Sequence, residues 1–180
     1  MNKEALKELF STGLYLLIVL LATWFIITFV GQRTVVDGTS MNPYLNDKDQ
    51  LIVDKLSYRF HEPERFDIVV FPFRYEKNTK YIKRIIGLPG ETVQIDLDGN
   101  IYINGEKLEE NYGKEVIEPD MIGSAIEPVT LGEDEYFVMG DNRNNSTDSR
   151  DFRIGLIDER YVVGRVIYRL GDRNIFEKDK

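Results

Sequence analysis

Residues 14–30 read Leu-Tyr-Leu-Leu-Ile-Val-Leu-Leu-Ala-Thr-Trp-Phe-Ile-Ile-Thr-Phe-Val, without one charged side chain. With Leu9 to Gly13 in front, the apolar run extends over residues 9–31. About 20 predominantly apolar residues, rising about 1.5 Å each as a helix, cross the hydrocarbon core of a bilayer. Tyr15 and Trp24 can serve as interfacial side chains. A secretory signal peptide is the competing reading, but its apolar core runs to roughly 7–15 residues and ends at a small-residue cleavage site. This run is longer and ends in Phe29-Val30-Gly31-Gln32-Arg33. Residues 1–31 are therefore expected to be a short cytoplasmic segment and a membrane anchor. Lys3 and Lys7 precede the span and Arg33 follows it, a slight positive-inside bias toward a cytoplasmic N-terminus.

The chain has 180 residues, 42% of them hydrophobic, which suits one ordinary core beside the anchor and not two large ones. A net charge of −8, from 31 acidic and 23 basic residues, gives no electrostatic footprint for nucleic acid. Cysteine is absent, which excludes a thiolate nucleophile, a thiolate metal site and a disulfide framework. The single histidine, His61, cannot build a multi-histidine metal centre, so no metal or other cofactor is expected.

Residues 32–180 lack long 3.6-period apolar stripes and show short Val, Ile, Tyr and Phe runs between turn residues, the pattern of a β-rich domain. The expected strands are Thr34 to Asp37, Gln50 to Lys55, Asp67 to Phe71, Lys80 to Ile86, Thr92 to Leu97, Ile101 to Ile103, Glu135 to Met139 and Tyr161 to Tyr168. Asp98-Gly99 and Asn104-Gly105 are hairpin dipeptides, so residues 91–108 are expected to form a meander. The acidic stretch 109–127 reads as an irregular surface excursion.

Three segments carry chemistry. The first runs Val35-Val36-Asp37-Gly38-Thr39-Ser40-Met41-Asn42-Pro43, a strand that breaks into a turn bearing Ser40. A serine at a strand end can attack a carbonyl, and a nearby glycine lets a substrate backbone approach and frees backbone N–H groups for an oxyanion. Serines in turns are commonplace, so the motif alone leaves Ser40 equally a turn former. A hydroxyl also needs a base. His61 sits in the charged, Pro-containing stretch Arg59 to Arg65 and reads as a solvated loop residue.

The second segment, Tyr81-Ile82-Lys83-Arg84-Ile85-Ile86, offers a lysine instead. Alternation along a strand puts Lys83 on one face with Tyr81 and Ile85, and Arg84 on the other with Ile82 and Ile86. An apolar setting lowers a lysine pKa toward neutrality, whereas arginine stays protonated, so only Lys83 can be a base. An amphipathic strand with snorkelling cations is the alternative. The third segment is the polar loop Gly140 to Arg150, where Ser146, Asp148 and Arg150 can orient an ammonium or brace a site. A calcium loop does not fit it, because Arg143 takes the third position from Asp141 and the required glycine and glutamate are missing.

In this order the segments resemble the bacterial type I signal peptidases, or leader peptidases, serine proteases with a serine and lysine dyad. Ser40-Met41-Asn42-Pro43 is similar to the nucleophile box, and Phe66 to Phe71 to a conserved strand box. Tyr81 to Gly90 resembles the lysine box, and Gly140-Asp141-Asn142-Arg143 with Ser146, Asp148, Ser149 and Arg150 the final box. The boxes span residues 35–153. Gly38, where some members carry a serine that supplies an oxyanion donor, resembles the Gram-positive form. Tyr44 stands where the family usually has Thr, and Asn144 where Asp is common.

The resemblance implies a coiled antiparallel β-sheet catalytic domain, mainly β, outside the cytoplasmic membrane on a transmembrane helix. It implies Ser40 as nucleophile, Lys83 as general base, and Ser146 and Asp148 as the residues that orient Lys83. Val36, Met41, Tyr81 and Ile82 would line shallow pockets for small side chains. The implied reaction is cleavage of signal peptides from secretory preproteins after an Ala-X-Ala pattern. Val30 and Ser40 are ten residues apart, which at up to about 3.6 Å per residue keeps Ser40 within roughly 36 Å of the membrane exit. Two alternatives remain at this point: a specialised peptidase with one substrate, and a non-enzymatic tethered β domain in which Ser40 and Lys83 are bystanders.

Overall fold

A computed structural model describes residues 3–170; the ends of the two expected segments, residues 1–2 and 171–180, lie outside it. Helix α1, Lys3–Phe25, carries the apolar run, and a π-helical turn, Ile26–Val30, continues it. Leu9, Phe10, Leu20 and Trp24 are all largely exposed, so the apolar surface of α1 is not part of the core. By length and composition the segment Lys7–Thr28 can cross a membrane.

The chain turns directly from this helix into strand β1, Gly31–Val35. Ten further strands follow: β2 Gln50–Asp54, β3 Ile68–Pro72, β4 Lys80–Gly87, β5 Thr92–Ile95, β6 Ile101–Ile103, β7 Glu106–Lys107, β8 Val129–Thr130, β9 Glu135–Met139, β10 Ile157–Asp158 and β11 Gly164–Leu170. They form an antiparallel sheet in the order β1-β2-β11-β3-β4-β9-β10 and a smaller one in the order β7-β6-β5-β8. The mainly β, antiparallel class read from the sequence is therefore the class observed.

Several boundaries differ from the sequence reading. Strand β1 lies at Gly31–Val35 and not at Thr34 to Asp37, because pairing with β2 begins at Gly31↔Asp54 as the helix ends. The last strand begins at Gly164, not Tyr161, because Asp158 caps a 3-10 turn over Glu159–Tyr161 by accepting the Arg160 N–H. The two-residue strands β7, β8 and β10 are too short for a period-2 signal. The meander over residues 91–108 is present: β5 pairs β6 and β6 pairs β7. Its Asn104-Gly105 turn has φ of 52° and 83°, the doubly positive geometry that this dipeptide tolerates.

Strand alternation sorts the core. Ile68, Val70 and Ile82 join Val36, Met41, Leu45, Leu51, Val53 and Val166 in one buried cluster. Val69, Phe71 and Ile85, on the opposite face, pack with Tyr136, Val138, Ile154 and Ile157. A third cluster, including Ile86, Phe137 and Met139, ties the large sheet to the small one through Val93 and Ile95. Continuous apolar runs such as Ile68 to Phe71 are buried on both faces, which explains why they do not alternate with polar residues.

Candidate active site

Strand β4 is the seat of the site. On one side it pairs with β3 from Lys80 to Arg84, with Val69 opposite Lys83. On the other, β9 reaches only to Met139 opposite Arg84, one pair short of Lys83, and there the chain leaves the sheet as the loop 140–150. The turn carrying Ser40 enters this gap. Lys83 Nζ lies 2.7 Å from Ser40 Oγ and 3.0 Å from the Ile82 carbonyl. Lys83 is 1% exposed, while Ser40 is half-buried at the surface end of the pair.

Burial pushes the Lys83 pKa down to about 8, against the nearby charges of Asp148 and Asp141, which favour the ammonium; Arg150 adds to the lowering. Removing an ammonium from water without a carboxylate in direct contact favours the neutral amine, the form that can accept a proton. The Lys83 ammonium position also lies 5.2 Å from the centre of the Tyr81 ring.

The loop 140–150 holds Ser40 from behind. Asn142 donates its backbone N–H to the Ser40 carbonyl at 3.0 Å and its side-chain amide to the Thr39 carbonyl at 3.0 Å. Gly140 is the point of closest approach: a Cβ there would stand 2.3 Å from Ser146 Oγ and 2.4 Å from the Ser40 carbonyl oxygen. Only glycine fits between them. Gly38, before the serine, donates its N–H to Asp47 Oδ1 at 2.8 Å, so that donor is engaged. The Ser40 N–H donates to no other described residue.

Two buried ion pairs fix the surroundings. Arg84 grips the Asp141 carboxylate through Nε and Nη2 at 2.9 and 2.7 Å and donates Nη1 to the Phe66 carbonyl at 3.0 Å. Arg150 grips Asp148 through Nε and Nη2, both at 2.8 Å, and Asp148 Oδ2 also accepts the Gly140 N–H at 3.0 Å. A buried pair broken on one side leaves an uncompensated charge, so such pairs hold geometry strongly.

The structure brings together most of the residues singled out from sequence. Ser40 and Lys83 touch, and Asp148 faces Lys83 as a charge while its hydrogen bonds go to Arg150 and Gly140. Ser146 Oγ is buried against Gly140 and has no hydrogen-bond partner among the described residues. Val36, Met41 and Ile82 share one cluster. Tyr81 does not join them, because alternation puts it on the other face of β4, against Phe71 and Phe73 with ring centres 6.2 and 4.9 Å away. His61 is exposed in its loop. The Arg84–Asp141 pair was missed from sequence; a cation beside Lys83 and an acid at the start of the polar loop were the only signals for it.

A buried strand lysine at the edge of a gap meets a turn serine across 2.7 Å, an arrangement in which a neutral amine can take a hydroxyl proton. The chain belongs to the signal peptidase family, peptidase S26, whose model matches residues 9–170. It is similar to the signal peptidase I of Bacillus licheniformis, at 42% identity over 91% of this chain and 88% of that one. It is also similar to the probable signal peptidase I-2 of a Synechocystis strain, at 41% identity over 79% of this chain, and spans 64% of that relative's length. A crystal structure of a signal peptidase I from Enterococcus faecalis V583 aligns with a TM-score of 0.48 at 38% identity, over 58% of this chain and 97% of that one. The chain is thus a serine endopeptidase family member with a membrane-anchoring helix.

Proposed function

We propose that this protein is a signal peptidase I that cleaves secretory preproteins after small residues, with Ser40 as nucleophile and Lys83 as general base. The observation that carries this reading is the 2.7 Å approach of a buried lysine amine to a half-buried serine hydroxyl.

Neutral Lys83 takes the Ser40 proton as Oγ attacks the scissile carbonyl carbon, giving a tetrahedral oxyanion. The Ser40 N–H, which donates to no other described residue, is the donor available to that oxygen. Collapse breaks the C–N bond, and the Lys83 ammonium gives its proton to the departing amine, leaving an ester on Ser40. Water then attacks the ester, losing its proton to Lys83, and the released serine recovers it. Asp148 supports the ammonium through its charge, and Ser146, whose buried hydroxyl has no partner among the described residues, is assigned with it to orienting Lys83. Small side chains of the substrate sit over Val36, Met41 and Ile82, which share one cluster, while Tyr81, on the face of β4 that carries Lys83, lies beneath the amine.

The catalytic domain, residues 32 onward, stands in this reading at the outer face of the cytoplasmic membrane with the N-terminus inside, supported by the apolar helix Lys3–Phe25 and by Lys3 and Lys7 ahead of the apolar run. Anchoring there raises the local concentration of substrates whose signal peptides are still in the bilayer. Two experiments test the reading. Detergent-solubilised protein should cut a preprotein bearing Ala-X-Ala, the product beginning directly after the second alanine, and should fail on a leucine at that position. Cleavage elsewhere, or indifference to the leucine, contradicts it. External protease on intact spheroplasts should digest the β domain; full protection contradicts the topology.

A further inference from the structure

The excursion 109–127 closes onto the gap beside Lys83. Since β9 ends one pair short of Lys83, the edge of β4 gains no ladder support there, and something else must hold the dyad's alignment. Residues 110–114 reach the loop 140–150 and Arg84 through Glu110, the Lys114 N–H and Tyr112. Glu110 pairs with the buried Arg143, its Oε2 accepting from Nη2 at 2.6 Å. The Lys114 N–H donates to the Asp141 carbonyl at 2.8 Å. Between them, the Tyr112 ring centre lies 3.7 Å from the guanidinium carbon of Arg84, and Tyr44 flanks the same group at 4.6 Å.

Tyr112 is half-buried outside the three apolar clusters, its ring centre 5.0 Å from that of Phe66 and 6.4 Å from that of Tyr44. Its ring covers a cation that already holds the Asp141 carboxylate with two hydrogen bonds. An aromatic face desolvates a guanidinium and is attracted to it, which narrows Arg84 to one arrangement. Arg84 is the backbone neighbour of Lys83, and Asp141 precedes Asn142, which holds the Ser40 carbonyl. Both ends of the dyad therefore converge on the pair beneath Tyr112.

We propose that residues 110–114 form a clamp that positions the dyad, with Tyr112 its central residue, acting through Arg84 and Asp141. The proposal rests on Ser40 and Lys83 being the reacting pair. Tyr112 touches neither of them and is a positioning residue. Alignment errors of about 1 Å can cost on the order of a hundredfold in rate, so loosening a support of this kind shows in kcat before KM.

The test compares Tyr112→Ala, Tyr112→Phe, Glu110→Gln and Lys83→Met in the full-length, detergent-solubilised protein, with kcat and KM measured on an Ala-X-Ala preprotein. Tyr112→Ala is expected to lower kcat about tenfold with KM held within about twofold, and Tyr112→Phe, which keeps the ring, to stay within about twofold of wild type. Glu110→Gln, which leaves the ring in place and weakens the Arg143 anchor, should lower kcat severalfold at constant KM, and serves if Tyr112→Ala does not fold. A wild-type kcat in the Ala and Gln variants, a loss confined to KM, or a Phe variant as poor as the Ala variant each overturns the clamp while leaving the dyad standing. A Lys83→Met protein that cleaves normally overturns the dyad and the clamp with it.

Discussion

Lys83 Nζ meets Ser40 Oγ at 2.7 Å across 43 residues of sequence, in a gap left where β9 parts from β4. The contact has a direct consequence for pH. With the amine near a pKa of about 8, only about a tenth of Lys83 is neutral at pH 7, so kcat should rise roughly tenfold from pH 7 and level off above pH 9. The charge of Asp148 holds this pKa up, and Arg150 works the other way. In Asp148→Asn the rising limb should therefore move to lower pH while the plateau falls, because the amide leaves Arg150 and the Gly140 N–H one acceptor oxygen in place of two. A limb that moves to higher pH contradicts the assigned charges. Initial rates across pH 6 to 10 decide it.

The same shift bears on stability. Below pH 8 Lys83 is charged in both folded and unfolded chains, and the folded state carries the cost of burying the charge. Between 8 and the ordinary 10.5 the folded chain releases the proton while the unfolded chain keeps it, so stability rises with pH in that window. The gap corresponds to about 3 kcal/mol. Lys83→Met should thus be more stable than wild type at pH 7, with an advantage that shrinks by about that amount toward pH 10.5. Urea unfolding of both proteins at pH 7 and pH 10 measures it; an advantage that grows with pH would contradict the burial of a titrating Lys83.

Gly140→Ala should inactivate the enzyme. The added methyl would overlap Ser146 Oγ at 2.3 Å and the Ser40 carbonyl at 2.4 Å, and the second of these is backbone that cannot rotate away. A loss of roughly a hundredfold or more in kcat is expected with the sheet intact by circular dichroism. Full activity would mean that the loop does not press on Ser40.

Asp141→Asn removes the charge opposite Arg84, whose side chain is 2% exposed. The expected loss of stability is roughly 3–5 kcal/mol, and replacing both partners, as in Arg84→Met with Asp141→Leu, should recover much of it. Chemical denaturation of Arg84→Met, Asp141→Leu and the double variant closes the cycle. Additive losses in the double variant would show that the two side chains do not act as a pair.

The apolar helix and the β class were legible because each rests on local pattern, whereas the meeting of Ser40 with Lys83 came from the order of three segments and their resemblance to a family. An uncharged run long enough for a bilayer needs no tertiary context, and β2, β3, β4 and β9 announce themselves as short Val, Ile and Phe runs between turn residues. Period-2 alternation also placed Lys83 with Tyr81 and Ile85, and the structure keeps Tyr81 and Ile85 on one face, with Lys83 over the Tyr81 ring. The same alternation argued against grouping Tyr81 with Ile82 in one pocket. What the sequence hid depends on distant pairing. Strand β1 is set by β2, the two-residue strands by their neighbours, and the role of 109–127 by a guanidinium 28 residues earlier in the chain, which Tyr112 covers. Tyr44, noted only as a departure from the family's usual Thr, flanks that same guanidinium.

The central claim is that Ser40 attacks with Lys83 as its base, and the most direct measurement is cleavage of an Ala-X-Ala preprotein by wild type, Ser40→Ala and Lys83→Met at pH 9, with folding checked by thermal unfolding. Both variants should be folded and inactive while the wild type cuts after the small residue. A folded Lys83→Met or Ser40→Ala protein that cleaves at the wild-type rate would contradict the account.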